Sequence, residues 1–307
     1  SCGFNSWTMK EWEAADCRCP KCGTYPDLNQ IKKNYIKRLV GFPDEKLTIH
    51  HGDLYINDRI CQKPASAQDS LWMPVYDGDF RNAAIRENIL EDQGFVFAGS
   101  FYDEMKQSWI LEKGEWYLED NSLAIDSEKS SARLMYFNPV KDYYPNNPPM
   151  HNAVNNVGDI RISLKAELIK PGGSLELHIS EDGTDNALKL DFDSMQFSWS
   201  KNNVKAQPLD LNNNKNDFEV CFYNLDDTLY AQMNDVVLFK KKFKIPLSEI
   251  EPHSYRNRVF LTLNNIKLKF YWIAIDRDVY YTNPGIYYTE NGYFCLGDNS
   301  PMSKDSR

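Results

Sequence analysis

The sequence of 307 residues predicts an all-β fold. Apolar and polar residues alternate over short segments, which is the pattern of strands that bury one face and expose the other. The clearest alternation runs from Ile160 to Ile169, and the turn formers Pro171-Gly172-Gly173 follow it. Short strands at this spacing are typical of an antiparallel sandwich. Hydrophobic residues make up 42% of the chain, enough for a packed core.

Charge and hydropathy argue against two further classes of protein. The chain has 35 Lys and Arg against 44 Asp and Glu, which gives a net charge of −9. An acidic chain without a basic stripe is poorly suited to phosphate backbones, so no nucleic acid partner is expected. No apolar run approaches the roughly 18 residues that a membrane helix needs, so these residues are not expected to span a bilayer.

The first 30 residues are predicted to form an irregular, Cys-rich segment that contains a candidate zinc-binding pattern. Cys19-Pro20-Lys21-Cys22-Gly23 resembles half of a zinc knuckle, with Cys17 as a third thiolate. A closed zinc site needs four ligands, and Cys2 is the remaining nearby thiol. The alternative is that Cys17, Cys19 and Cys22 are free or oxidised. Apart from this structural zinc, no cofactor is expected.

Residues 31–64 predict a small β unit. Its clearest feature is a hairpin, in which Leu47-Thr48-Ile49 pairs with Leu54-Tyr55-Ile56 across His51-Gly52-Asp53. Residues 283–307 are predicted to complete this unit, and they include the short apolar strand Phe294-Cys295-Leu296.

The intervening residues 65–282 predict an inserted β-sandwich domain. Its expected strands include Ile160–Ile169, Leu175–Ile179, Ala187–Phe192, Met195–Trp199, Phe218–Tyr223, Thr228–Ala231, Val236–Phe239, Val259–Leu263 and Leu268–Ile275. The segment from Leu229 to Val237 resembles the hairpin of concanavalin-like and laminin-G-like jelly rolls. The small β unit is therefore expected to be interrupted by a sandwich of this kind.

Lys37 is a candidate general base. On an extended strand it shares a face with Tyr35 and Leu39, which would press its amine against apolar surface. Desolvation disfavours the ammonium form, lowers the pKa of the lysine and makes neutral amine available to take a proton from a hydroxyl. The alternative from this segment alone is a lysine that extends to solvent at a strand edge.

The segment from Gly297 to Arg307 is a second candidate for chemistry. It combines turn formers, hydroxyls and an acid–base pair. Asp305 and Arg307 are expected to brace a loop, and Ser303 could present its hydroxyl to a nearby amine. The alternative is an ordinary polar loop.

Together, the two segments resemble the two C-terminal conserved boxes of bacterial type I signal peptidase, a membrane-tethered Ser/Lys protease. The family's lysine box is close to Tyr-Ile-Lys-Arg-x-Val-Gly-Leu-Pro-Gly-Asp, and Tyr35 to Glu45 follows it, with Phe42, Asp44 and Glu45 as departures. The family's last box is close to Gly-Asp-Asn-Arg-x-x-Ser-x-Asp-Ser-Arg. Residues 297–307 match it except at the arginine, which here is a serine. A sandwich between the boxes resembles a long-insert subgroup of the family.

The resemblance implies an enzyme, a serine endopeptidase that cleaves signal peptides from exported preproteins. Lys37 would be the general base, and Ser303 would orient its amine. The residues expected to support the site are Arg38, Asp298, Asn299, Asp305 and Arg307. The full-length protein would be membrane-anchored, with this part at the extracytoplasmic (periplasmic) face.

The nucleophile is the main departure from the family pattern. The family's catalytic serine precedes the lysine box in a Ser-x-Ser-Met-x-Pro-type motif, whereas residues 1–33 contain only Ser1 and Ser6, neither in that pattern. We therefore expect a fragment whose nucleophile box and membrane anchor lie upstream of Ser1, and which is inactive alone. Two alternatives remain: a catalytically inactive relative, and a carbohydrate- or protein-binding module centred on the sandwich.

Overall fold

The computed structural model describes residues 37–79, 108–119, 122–128, 130–144, 155–181, 184–199, 207–209, 216–242 and 258–307. The chain forms two compact units, Ser1–Lys37 and Arg38–Arg307. Lys37 is the described residue of the first unit, and every element below belongs to the second. The predicted all-β class is confirmed, with one short α-helix, α1 (Ala65–Leu71), among the described residues.

Two large antiparallel sheets form a sandwich. In spatial order, the first contains β17 (Val236–Lys242), β16 (Thr228–Met233), β15 (Asp217–Leu225), β10 (Ile160–Leu168), β19 (Lys267–Arg277), β8 (Ser122–Asp126) and β7 (Glu115–Glu119), with β5 (Met73–Asp79) also paired to β19. The second contains β14 (Gln207–Pro208), β13 (Gln196–Trp199), β12 (Thr184–Asp191), β11 (Ser174–Glu181), β18 (Arg258–Asn264), β9 (Ser131–Tyr136) and β6 (Trp109–Glu112).

The alternating sequence of β10 explains its central place in the first sheet. Its apolar residues are buried and its polar residues half-buried at every second position. Ile162 lies opposite Phe222 of β15 on one side and Ile275 of β19 on the other. All three side chains belong to the core between the two sheets. A one-residue slip of this strand would move its charged residues into that core.

The segments predicted to form the small β unit contain two further sheets. One is β20 (Gly285–Tyr288), β2 (Lys46–His50), β3 (Asp53–Ile56) and β4 (Arg59–Ile60); the other pairs β1 (Arg38–Gly41) with β21 (Phe294–Leu296). They share an apolar cluster with α1 and the segment after β19, to which Leu47, Leu71, Tyr281 and Leu296 contribute. In the sequence, some strands of these two sheets therefore precede the strands of the sandwich, and the others follow them.

The predicted hairpin between β2 and β3 is present. His50 lies opposite Asp53, so the turn consists of two residues, His51 and Gly52. Both have positive φ, 50° and 93°, as two-residue turns with the twist of a hairpin require. A Cβ at Gly52 would come within 2.2 Å of the Tyr280 ring, so this glycine also permits a close approach.

Among the residues that the structure describes, no helix is long and apolar enough to cross a membrane.

Candidate functional site

Pairing of β1 with β21 brings the two predicted boxes together. Arg38 lies opposite Leu296, and Leu39 lies opposite Cys295. Beyond the strand, the Arg38 guanidinium forms a two-pronged ion pair with Asp298, with Nε–Oδ1 at 2.7 Å and Nη2–Oδ2 at 3.1 Å. These two residues are 260 positions apart in sequence. The fold therefore joins the lysine box to the last box.

The turn after β1 accommodates the departures from the lysine box. Asp44 has a φ of 64°, a left-handed conformation in which glycine is favoured and Asp is among the tolerated residues. Glu45 accepts a hydrogen bond from the Phe42 amide at 2.7 Å through Oε2. Thr289 binds this turn from the strand opposite, accepting from the Glu45 amide at 2.9 Å. Asp44 thus occupies a backbone conformation that glycine also adopts readily.

The last box forms a compact loop around a buried ion pair. Arg307 contacts Asp305 at 2.8 Å (Nε–Oδ1) and 2.6 Å (Nη2–Oδ2), and the two side chains are 3% and 2% exposed. Desolvation raises the pKa of Asp305, but hydrogen bonds from Arg307 and from the Gly297 amide outweigh it, so this pKa lies below its usual value. Ser300 is buried where the family commonly has Arg, and it accepts from the Thr282 amide at 2.8 Å.

Ser303 and Asn299 lie at the two ends of a 3₁₀ turn, Ser300–Met302, within this loop. The Asn299 carbonyl accepts from the Met302 amide at 3.1 Å, and the Ser303 amide donates to the Ser300 carbonyl at 3.4 Å. Ser303 is half-buried, between exposed Met302 and Lys304. One loop thus contains the five residues of the last box that the sequence analysis assigned to the site: Asp298, Asn299, Ser303, Asp305 and Arg307.

Lys37 immediately precedes β1 and is the last residue of the first unit. Its role as a base and that of Ser303 as its partner stay predictions. Leu39, which the sequence places on the same strand face as Lys37, is 50% exposed. The predicted zinc ligands Cys17, Cys19 and Cys22 lie outside the described residues.

Several large apolar side chains are exposed on the two small sheets. Phe42 and Tyr293 contact each other edge to face, with ring centroids 6.1 Å apart. Ile286 and Tyr288 alternate along β20 toward solvent, and all four side chains are more than half exposed. The surface of the small unit is therefore apolar beside the turn that follows β1.

A buried charge cluster, which the sequence did not predict, lies between the small unit and the sandwich. Lys63, after β4, pairs with Asp226 in the β15–β16 turn and with Asp278 after β19; its Nζ is 2.7 Å from Asp278 Oδ2. Desolvation lowers the pKa of Lys63, but the carboxylates raise it well above its usual value. Desolvation and the nearby Asp53 raise the pKa of Asp159 well above its usual value.

Three of these carboxylates come close enough to consider a cation. Oxygens of Asp53, Asp159 and Asp226 lie within 4.8 Å of one another. However, Asp226 already pairs with Lys63, and Asp159 accepts from the Asn224 amide group and the Asp226 backbone amide. These contacts account for the arrangement as a structural network. No local sequence pattern predicts the cluster, because its members come from separate segments.

The family model for Signal peptidase, peptidase S26, matches residues 17–103, less than a third of the chain. The match includes the lysine box and the β2–β3 hairpin and does not reach residues 297–307. No curated protein matches the sequence significantly.

Solved structures resemble the chain at low identity. A Bacillus subtilis protein of unknown function with a galectin-like fold has 10% identity and a TM-score of 0.42, over 67% of this chain and 98% of that one. The laminarinase catalytic domain from Thermotoga maritima has 12% identity and a TM-score of 0.41, over 67% and 98%. A carbohydrate-binding module from Bacillus subtilis has 11% identity and a TM-score of 0.34, over 53% and 91%. At these values the similarities bear on neither ligand nor activity.

Proposed function

We propose that this chain is the extracytoplasmic part of a type I signal peptidase, which cleaves signal peptides from exported preproteins. The observation that carries the proposal is the Arg38–Asp298 ion pair, which joins two boxes from opposite ends of the sequence. The family-model match over residues 17–103 supports the same conclusion independently of the last box.

The proposed chemistry is serine attack on the scissile carbonyl. Neutral Lys37 takes the proton of the serine hydroxyl, and the resulting ammonium returns it to the leaving amine. Ser303 orients the Lys37 amine, while the Asp305–Arg307 pair keeps the Ser303 loop rigid. The proposal assigns the nucleophile to neither Ser1 nor Ser6, because residues 1–33 lack the family's serine motif.

The exposed apolar side chains of the small unit support a position at the membrane surface. Phe42, Tyr293, Ile286 and Tyr288 would sit against the lipid interface, where aromatic rings are favoured. A signal peptide is itself apolar and therefore favours the membrane. A site at the membrane surface would lie close to this substrate.

The test is cleavage of a preprotein by the complete gene product in lipid vesicles. Lys37→Met removes the proposed base and should lower the cleavage rate by at least about 100-fold. Lys304→Met, an exposed lysine of the last box, is the matched control and should retain the rate. Ser303→Ala should lower the rate less than Lys37→Met does. Full activity of Lys37→Met, or no cleavage by the unaltered protein, would overturn the proposal.

A further inference from the structure

A cleft on the outer face of the first large sheet has the features of a ligand site. It has a volume of about 440 Å³, within the range of small-molecule sites. Its floor is the face of β15, β16 and β17 that points away from the sandwich core, and its rim is the segment from Gln62 to Gln68. We call it the sheet-face cleft.

The floor is built from cross-strand neighbours. Tyr223, Tyr230 and Lys240 lie opposite one another on the three strands, and Gln232 lies opposite Val237 in the next row. The Tyr223 and Tyr230 rings stack at 4.6 Å, and the Lys240 ammonium lies 4.9 Å from the Tyr230 ring centre. The two tyrosine rings thus cover each other, and the Lys240 ammonium also covers the Tyr230 ring. The cleft therefore offers phenol hydroxyls rather than open ring faces.

Several neutral hydrogen-bonding groups line the cleft. Within the described part of the chain, the hydroxyls of Tyr223 and Tyr230 and the amide of Gln232 make no hydrogen bond, although all three line the cleft. Gln62 and Gln68 each donate through their amide nitrogen, to Thr228 and to the Lys63 carbonyl, which leaves their oxygens as acceptors. Phenol and amide groups can both donate to and accept from a hydroxyl.

The charged groups of the cleft favour an uncharged ligand. Asp226 is neutralised by Lys63 at one end, and Lys240 caps the Tyr230 ring at the other. The charges of Lys63 and Asp226 offset each other, and the exposed Lys240 ammonium already contacts the Tyr230 ring, so the described lining of the cleft leaves no unpaired buried charge for an ionic ligand.

Pairing of β15 and β16 on both edges disfavours a peptide that would bind this floor through its backbone. Recognition on these two strands must therefore use side chains. We propose that the sheet-face cleft binds a short neutral saccharide, whose hydroxyls pair with Tyr223, Tyr230 and Gln232 while its carbons pack on the exposed side chain of Val237. This binding does not depend on peptidase activity.

The test is titration of the 307-residue chain with four disaccharides, cellobiose, maltose, lactose and N,N′-diacetylchitobiose, followed by NMR. At least one should bind saturably. Tyr230→Phe and Gln232→Ala each remove hydrogen-bonding groups and should weaken that binding by about threefold to tenfold. Matched controls outside the cleft are Tyr271→Phe and Gln196→Ala, which should leave the binding unchanged.

Melting temperatures establish that each variant is folded, and Tyr230→Phe keeps the ring that packs against Tyr223. Saturable binding to none of the four disaccharides would overturn the proposal. So would binding that the cleft variants and the controls weaken equally. A neutral hexapeptide is titrated in parallel, and its binding in place of the saccharides, with the same sensitivity to Tyr230→Phe, would assign the cleft to peptides and overturn the proposal.

Discussion

Replacement of Lys63 by methionine should destabilise the protein strongly. The Lys63 ammonium pairs with Asp226 and Asp278, and the three side chains are only 14%, 4% and 3% exposed. Methionine keeps most of the apolar stem but leaves two buried carboxylates without their cation. Removal of one partner from a buried ion pair costs about 3–5 kcal/mol. We expect a loss of that size in the free energy of unfolding at about pH 7.

The same substitution should be less costly in acid. Desolvation already raises the pKa of Asp278 in the presence of Lys63, and removal of the ammonium should raise it further. A carboxyl whose folded pKa lies above its unfolded value stabilises the fold below the unfolded value, and this stabilisation is lost as the pH rises through the folded value. The deficit of Lys63→Met should therefore shrink as the pH falls from about 7 to about 5.

Urea unfolding of the unaltered chain and of two variants measures the effect. Lys46→Met is the matched control, because Lys46 pairs with Asp58 at the surface, with side chains 32% and 57% exposed. Such pairs contribute no more than about 1 kcal/mol. Equal losses for Lys63→Met and Lys46→Met, or a deficit for Lys63→Met that grows in acid, would refute the account of the buried cluster.

Three further predictions concern neighbouring features. Because the raised pKa of Asp159 makes its ionisation destabilising, melting temperatures of the unaltered chain should fall as the pH rises above the usual titration range of an aspartate, and Asp159→Asn should flatten that fall. Asp44→Val should lower the free energy of unfolding by about 1–2 kcal/mol, because its φ of 64° is unfavourable for a β-branched residue, whereas Asp44→Gly should not lower it; equal urea midpoints would contradict this. A double-mutant cycle of Arg38→Gln and Asp298→Asn should give a coupling of about 1 kcal/mol or less, because this pair is partly exposed; a larger coupling would show that the pair is shielded from solvent.

Local patterns were sufficient to predict most strands of the sandwich. In β10, the alternation of apolar and polar residues corresponds directly to burial, since one face of the strand lies in the core. The β2–β3 hairpin was equally predictable, because its turn needs residues that accept positive φ. Neither feature depends on which distant strand lies alongside.

Partners and long-range contacts could not be predicted in this way. β19 pairs with β10 along one edge, while its other edge is shared by β8 over Lys267–Phe270 and by β5 over Trp272–Arg277. Nothing in the sequence of β19 indicates that division. Its alternation reports which face is buried, and pairing is decided by the whole sheet.

In the candidate site, too, some features could be predicted from local sequence and others depend on long-range contacts. The resemblance to family boxes placed Asp298, Asp305 and Arg307 near a common loop, but the contact of Arg38 with Asp298 required the fold. Leu39, which the sequence places on the same strand face as Lys37, is half exposed on the two-stranded β1–β21 sheet, and this exposure also depends on the fold around the strand.

The central claim is that the amine of Lys37 performs the proton transfer in signal-peptide cleavage. The most direct measurement is rescue of Lys37→Cys in the complete gene product by bromoethylamine, which converts the cysteine into an aminoethyl analogue of lysine. The variant should be inactive before alkylation and should recover preprotein cleavage after it, while Lys37→Ala treated in the same way should stay inactive. Cleavage by unmodified Lys37→Cys at the original rate, or recovery by alkylated Lys37→Ala, would contradict the claim.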